Sequence, residues 1–246
     1  MFKSTLQRIP GARLLIRLFR RLARPGRFLV WHTPHEPFRS NLIESAREEF
    51  GPPFLDIASG TRRLGPDFLN LDLNPNSQVD VLGDAGDLPF RSDTFGLVWL
   101  EAALEHVPDP VSVVAEIDRV LKPRGWVYVE IPFMQGYHAD PGDYQRFTIE
   151  GLKRLFHSFE IEWIAPCSGP ASAFCYSGAS FFATLFSFHS RWLYKIWFHY
   201  VFSYLFFPLK FLDRILIAHP EAHRTAFGYA LLARAKSCED GGDVFP

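Results

Sequence analysis

The chain has 246 residues, 48% of them hydrophobic, which suits one domain with additions and supplies ample material for a core. Its net charge of −1 hides an asymmetry: Lys3, Arg8, Arg13, Arg17, Arg20, Arg21, Arg24 and Arg27 all precede the first acid, Glu36, and the remainder is acidic. An acidic body argues against general nucleic-acid binding. Cys167, Cys175 and Cys238, without C-x-x-C or His-Cys spacing, point to a reducing compartment and no structural metal.

The N-terminus lacks the uninterrupted apolar core and cleavage site of a secretory signal, so a cytoplasmic location is expected. Residues 12–24 place Leu15, Leu18, Phe19 and Leu22 on one helical face and Arg13, Arg17, Arg20 and Arg24 on another. Such a helix either packs on the domain with its arginines in water or lies in the headgroup layer of an anionic membrane, at the inner face. Pro25-Gly26 ends it, and 1–35 reads as a separate basic segment. A second helical pattern, Glu36 to Phe50, leads into the first strand.

Phe54 to Ile57 is an apolar run carrying one acid, Asp56, and it breaks at once into Ala58-Ser59-Gly60. A second run, Phe68 to Leu71, ends in Asp72. The first run has the composition of a buried parallel strand ending in a tight turn. A glycine lets backbone N–H groups come close to a ligand, and an acid at the tip of the next strand can accept both hydroxyls of a ribose. A nucleoside-containing cofactor is the ligand this pattern fits. Further strands are expected at Val79–Leu82, Phe95–Leu100, Trp126–Ile131, Phe159–Ala165 and Phe227–Ala235. Between them, Asp109-Pro110 starts a helix with Val114, Ile117, Val120 and Leu121 buried, stopped by Pro123-Arg124-Gly125. Thr148 caps another helix, through Phe156. Strands alternating with helices imply a mostly parallel sheet with right-handed crossovers.

The segments LDIASGT, NLDLNP, VDVLGDAGDLPF, FGLVWLEAALEHVPDP and RVLKPRGWVYVEIPF resemble, in order and spacing, the Rossmann-like (class I) S-adenosylmethionine-dependent methyltransferases with the type 11 methyltransferase domain. The downstream YHADPGDYQRFTIEGLKRLF resembles one branch of that family whose members often sit in surface-glycan pathways. The resemblance implies an α/β fold: a doubly wound seven-stranded sheet, mostly parallel with the last strand antiparallel, helices on both faces, and S-adenosylmethionine as cofactor. It assigns cofactor contact to Asp56, Ala58, Ser59, Gly60, Asp72, Leu73, Asp84, Ala85, Leu88, Leu100 and Glu101. Asp72 would hold the ribose, Asp84 the adenine amine, Ala85 would offer its N–H and Leu88 would pack on the ring. The family's first loop usually reads D-x-G-x-G-x-G; here Ala58 replaces a glycine and Arg62 and Arg63 follow Thr61. A nicotinamide-binding G-x-G-x-x-G turn is missing from ASGTRRLG.

Acceptor chemistry is expected in the loop after the fifth strand. His138 is the candidate base for a hydroxyl acceptor, Asp143 its orienting acid, and Tyr137, Tyr144 and Arg146 hold substrate. Equally, Asp143 and Arg146 can form an ion pair that braces the loop. His106 reads as a positioning residue.

Residues 36–167 and 225–238 form the expected methyltransferase domain, interrupted by an aromatic insertion, 168–224. Residues 171–190 carry no formal charge, yet spanning a bilayer is disfavoured because the flanking strands share one sheet. The insertion is then a lid, a peripheral membrane contact with Trp and Tyr at headgroup depth, or a homodimer interface. The expected function is O-methylation of a sugar, glycan or lipid-linked small molecule. The alternative is a catalytically impaired protein of the same fold that serves as a membrane-associated binding partner.

Overall fold

The computed structural model describes residues 36–237, with side chains from residue 41 onward. The expected basic helix at 12–24 and Cys238 lie outside the described residues. Seven strands form one sheet: β1 Phe54–Ile57, β2 Phe68–Asp72, β3 Val81–Leu82, β4 Phe95–Glu101, β5 Leu121–Pro132, β6 Phe159–Ser168 and β7 Gly228–Ala235. Their order is β3-β2-β1-β4-β5-β7-β6. Pairing is parallel from β3 through β5, while β7 runs antiparallel to both β5 and β6. This is the doubly wound architecture expected above.

The strands read as continuous apolar runs because both faces of the sheet are covered. Alternate residues of β1 and β4 go to opposite sides. Phe54, Leu97 and Trp99 pack with Leu42 and Ala46 of α1 (Glu36–Phe50), whereas Leu55, Ile57, Val98 and Leu100 pack with Val113, Val114 and Ile117 of α2 (Pro110–Val120). A side chain at Gly96 would run into Phe50, so glycine sets how closely α1 approaches β4. At the start of α2, Asp109 accepts from the N–H groups of Val111 and Ser112 at 3.0 and 3.3 Å, and Pro110 fills the first helical position.

Several boundaries differ from expectation, among them the start of β5, at Leu121 rather than Trp126. Helix α2 ends at Val120, before Pro123-Arg124-Gly125, because Leu121 is buried in extended conformation opposite Phe95. The pairing then jumps to Leu97 opposite Trp126, so 122–125 bulge out of the ladder with Arg124 at φ 61°. Strand β3 is shorter than Val79–Leu82, since the Asp80 carboxylate occupies the Asn70 N–H at 2.9 Å where a strand carbonyl would otherwise accept. Strand β6 continues past Ala165 to Ser168, still paired with β7. Helix α3, Ile149–Leu155, starts as expected, with Thr148 accepting from the Gly151 N–H at 3.1 Å.

Between β6 and β7 the insertion is helical: α4 Pro170–Leu185, then a run of α, π and 3-10 turns from Arg191 to Leu216. Ala179, Ala183, Phe198 and Phe202 form its small core. Its one acid between 169 and 216, Asp213, is buried and accepts from the N–H groups of Ala171 and Ser172 at 2.8 and 2.9 Å and from the Ser172 hydroxyl at 2.6 Å. This caps α4 from a distant point in the chain. A side chain at Gly169 would collide with that carboxylate.

Candidate functional site

The carboxyl ends of β1, β2 and β4 and the turn after β3 surround a cavity of about 370 Å³. That volume is in the range of small-molecule sites, and its place is where open α/β sheets bind ligands. Of the expected cofactor residues, Ala58, Gly60, Asp72, Leu73, Asp84, Ala85 and Leu100 line it. So do Thr61, Asn74, Asn76, Ala102, His106, Asp140 and Pro141, which carried no cofactor role in the sequence.

Local sequence explains the shape of the rim. Ala58 and Gly60 both sit in the left-handed region, at φ 52° and 55°, so the chain turns sharply at the end of β1. A Cβ on Gly60 would meet no atom within 4 Å, although the backbone conformation itself favours glycine. Ala102, at the end of β4, is left-handed as well, at φ 53°. Two non-glycine residues in that conformation on one rim are local strain held in place by the surrounding sheet.

Asp72 is mostly buried, and its two oxygens accept from the Gly60 and Asn74 N–H groups, each at 2.8 Å. A carboxylate has about four lone-pair sites, so acceptor capacity remains toward the cavity. Asn76 closes the same turn by donating to the Gly60 carbonyl at 2.8 Å. Asp84 is exposed and accepts from the Gly86 N–H at 2.8 Å. The wall behind it is a clamp: Glu116 accepts from the Leu88 N–H at 2.7 Å, and Arg119 donates to the Leu88 and Phe90 carbonyls while pairing with Glu116 at 2.7 Å. The Arg119 guanidinium holds the Glu116 carboxyl below its ordinary value.

Four expected cofactor residues stand behind the rim. Asp56 is fully buried and pairs with Arg62 at 2.5 Å, and Arg62 also reaches Glu101 at 3.1 Å. Burial pushes the Asp56 carboxyl up, and the Arg62 pair opposes it. Ser59 is buried, and Leu88 belongs to the core beneath Ala85. Neither arginine of the first loop lines the cavity, since Arg63 turns away to Asp80 at 2.5 Å.

The loop after β5 is strapped across the segment that follows β4. Tyr144 N–H donates to the Glu105 carbonyl at 2.8 Å, and the Gln145 amide donates to the Leu104 and Val107 carbonyls at 2.8 and 2.9 Å. Asp140 and Pro141 thereby reach the cavity. Tyr137 and Tyr144 are exposed. Asp143 forms a two-pronged ion pair with Arg146 and accepts from the His138 N–H at 2.8 Å. The guanidinium holds the Asp143 carboxyl well below its usual range. His138 points Nδ1 at the Gly136 carbonyl, 2.9 Å away, and Nε2 at buried Glu105, 3.5 Å away, while Asp143 lies 3.7 Å from Nδ1. Glu105 therefore draws the His138 pKa up. Glu105 and Tyr176, whose ring abuts Gly136, are neighbours of this loop that spacing did not single out.

A methyltransferase domain family matches residues 56–129, from Asp56 in β1 into β5. The chain is 30% identical over 162 residues to a demethylmenaquinone methyltransferase of Staphylococcus carnosus, covering 53% of this chain and 66% of that one. It is 46% identical over 94 residues to the Bacillus subtilis protein of the same name, covering 36% of this chain and 40% of that one. The chain thus spans less than two thirds of the length of these curated relatives. Among solved structures, geranyl diphosphate C-methyltransferase from Streptomyces coelicolor, determined with S-adenosyl-L-homocysteine, aligns with a TM-score of 0.44 at 12% identity, over 80% of this chain and 77% of that one. The strand order, the strand-end acids and the methyltransferase domain matched at residues 56–129 agree with the likeness of this sequence to the class I, Rossmann-like S-adenosylmethionine-dependent methyltransferases.

Proposed function

We propose that the protein transfers the methyl group of S-adenosylmethionine to an oxygen of a sugar, glycan or lipid-linked small molecule presented beside the aromatic insertion. The observation that carries this is the convergence of Asp72, Asp84 and the left-handed Ala58 and Gly60 on one cavity at the carboxyl edge of the sheet. Asp72 has lone pairs left for the ribose hydroxyls, Asp84 is exposed to receive the adenine amine, and Asp140 and Pro141 from the loop after β5 also line the cavity. The cofactor supplies a sulfonium methyl with a good leaving group, so alignment by these residues provides most of the rate. A hydroxyl acceptor must also lose its proton, and the chemistry for that lies in Glu105, His106 and His138, with Tyr137, Tyr144 and Arg146 on the acceptor side. Asp143 fixes the loop through Arg146.

The apolar acceptor follows from the insertion. Phe181, Phe188, Trp192, Leu205 and Ile215 are all more than 60% exposed. Between residues 169 and 216 the formal charges are Arg191, Lys195, Lys210 and Arg214, against one acid, buried Asp213. Exposed rings among cations suit an anionic lipid surface at the cytoplasmic face of a membrane. Among the described residues no helix is long and apolar enough to cross a membrane. A second acceptor reading, demethylmenaquinone, is favoured by the names of the two relatives and fits the same apolar surface.

Calorimetric titration of the purified protein with S-adenosylmethionine and S-adenosylhomocysteine tests the cofactor claim. No heat at millimolar ligand would favour a non-catalytic binding partner of the same fold. Flotation with phosphatidylglycerol vesicles, repeated with Trp192→Ser and Phe188→Ser, tests the surface. Unchanged flotation would remove the insertion from membrane contact, and sedimentation of the same samples would show a homodimer instead.

A further inference from the structure

We infer that Glu105, His106 and His138 form a binding site for one divalent transition-metal cation beside the cavity. Glu105 is wholly buried, and neither of its carboxylate oxygens is hydrogen-bonded by any described residue. Its Oε1 instead faces two imidazole nitrogens, Nε2 of His106 at 3.6 Å and Nε2 of His138 at 3.5 Å. One donor atom from each of the three residues lies within 4.8 Å of the others.

The other nitrogen of each ring is already committed. His106 Nδ1 is 2.5 Å from the Gly142 carbonyl, and His138 Nδ1 is 2.9 Å from the Gly136 carbonyl. A carbonyl can only accept, so Nδ1 carries the proton in both rings, and each neutral ring turns a lone pair at Nε2 toward Glu105. Arg146 Nη2 also approaches His138 Nδ1, at 3.3 Å, but it donates to the Gly136 carbonyl at 3.2 Å as well, and the shorter contact decides the tautomer.

Two lone pairs and a carboxylate turned toward one another need a cation between them. A proton on one imidazole answers for part of that; a metal answers for all of it. Two imidazole nitrogens and one carboxylate oxygen are the donors of zinc sites that keep an open fourth position, whereas magnesium prefers oxygen alone. Zinc bonds of about 2.0–2.1 Å in a tetrahedral arrangement set neighbouring donors about 3.3 Å apart. The separations of 3.5 and 3.6 Å close to that with small side-chain shifts. Hydrogen bonds from the far ring nitrogen to carbonyls are how metal-binding histidines are held in orientation. Spacing in the sequence conceals the site, because His138 arrives from the loop after β5 while Glu105 and His106 follow β4.

His106 also lines the cavity, so the cation would border it. Its use deepens, and rests on, the function proposed above. An acceptor hydroxyl bound to the metal releases its proton to water, the S–CH₃ bond breaks as the O–CH₃ bond forms, and the thioether leaves neutral.

The test uses the full chain after chelator treatment, titrated with zinc by calorimetry and with cobalt by visible absorption. We expect one saturable equivalent, with the cobalt bands of a four- or five-coordinate nitrogen and oxygen site. His138→Ala and Glu105→Gln should each weaken it by about 100-fold or more, with His223→Ala unchanged as the control. If Glu105→Gln fails to fold, His138→Ala decides alone, since that residue sits on a partly exposed loop. No saturable binding at micromolar zinc, or equal affinity in wild type and His138→Ala, overturns the site. Titration of the same chelated protein with S-adenosylhomocysteine reads the cofactor cavity separately, so failure of one claim is distinguishable from failure of the other.

Discussion

The rim of the cavity and the aromatic insertion leave the same sheet yet are held by opposite means. Behind the rim, Phe54, Leu55, Ile57, Leu97, Trp99 and Leu100 are fully buried, and polar side chains serve to aim backbone turns at the cavity. In the insertion the apolar cluster around Ala179, Ala183, Phe198 and Phe202 is small, many large rings face outward, and one buried carboxylate, Asp213, ties the two halves of the helical run together. The sheet rests on apolar burial, whereas the insertion adds a buried polar junction at Asp213 to its small core and leaves apolar surface exposed.

The largest expected effect breaks that junction. Asp213→Ala strips the first N–H groups of α4 and the Ser172 hydroxyl of their acceptor, and should cost about 3–5 kcal/mol. Limited proteolysis should then cut within 169–216 while the sheet resists; uniform unfolding would show that the insertion is not a separate unit.

Next comes the rim. Asp72→Ala should weaken S-adenosylhomocysteine binding by about 10- to 150-fold, the worth of charged hydrogen bonds of about 1.5–3 kcal/mol. Calorimetry on a variant whose melting is little changed checks it, and unaltered affinity would take the ribose away from Asp72.

Glu116→Gln should loosen the Leu88–Phe90 wall by about 1–2 kcal/mol at neutral pH. The folded pKa of Glu116 lies below its unfolded value, so its contribution is present above the ordinary glutamate range and disappears as pH falls through the folded value. Melting temperatures of wild type and variant should therefore converge on acidification below about pH 4. A gap that persists there would assign the effect to packing rather than charge.

The smallest expected effect has the opposite sign. Ala58→Gly relieves a left-handed alanine and should stabilise the protein by about 1 kcal/mol, with equal or tighter cofactor binding. Thermal melts decide it; a destabilised variant would mean that the alanine methyl packs usefully against the core it borders.

Much of the rim was legible because its signals are local. An apolar run ending in Asp72, the Ala58-Ser59-Gly60 turn and the Asp109-Pro110 start of α2 each act through neighbours in the chain, and each appears where its residues placed it. The end of α2 was less legible, since Pro123 and Gly125 are stronger stop signals than Leu121, and only burial of Leu121 opposite Phe95 explains the earlier boundary. Asp143 beside Arg146 was readable as an ion pair from close spacing, whereas Glu105 facing His138 was not.

Sequence alone determined the strand and helix periods, the strand-end acids and the kind of cofactor they suit, because these depend on side-chain chemistry within a few residues. The tertiary structure alone decided that Arg62 and Arg63 leave the cavity for Asp56 and Asp80, that Asp213 caps a helix it is far from, and that two histidines from different loops meet one buried carboxylate. Those pairings join residues distant in the chain, and only the crossovers of a doubly wound sheet bring them within a few ångströms.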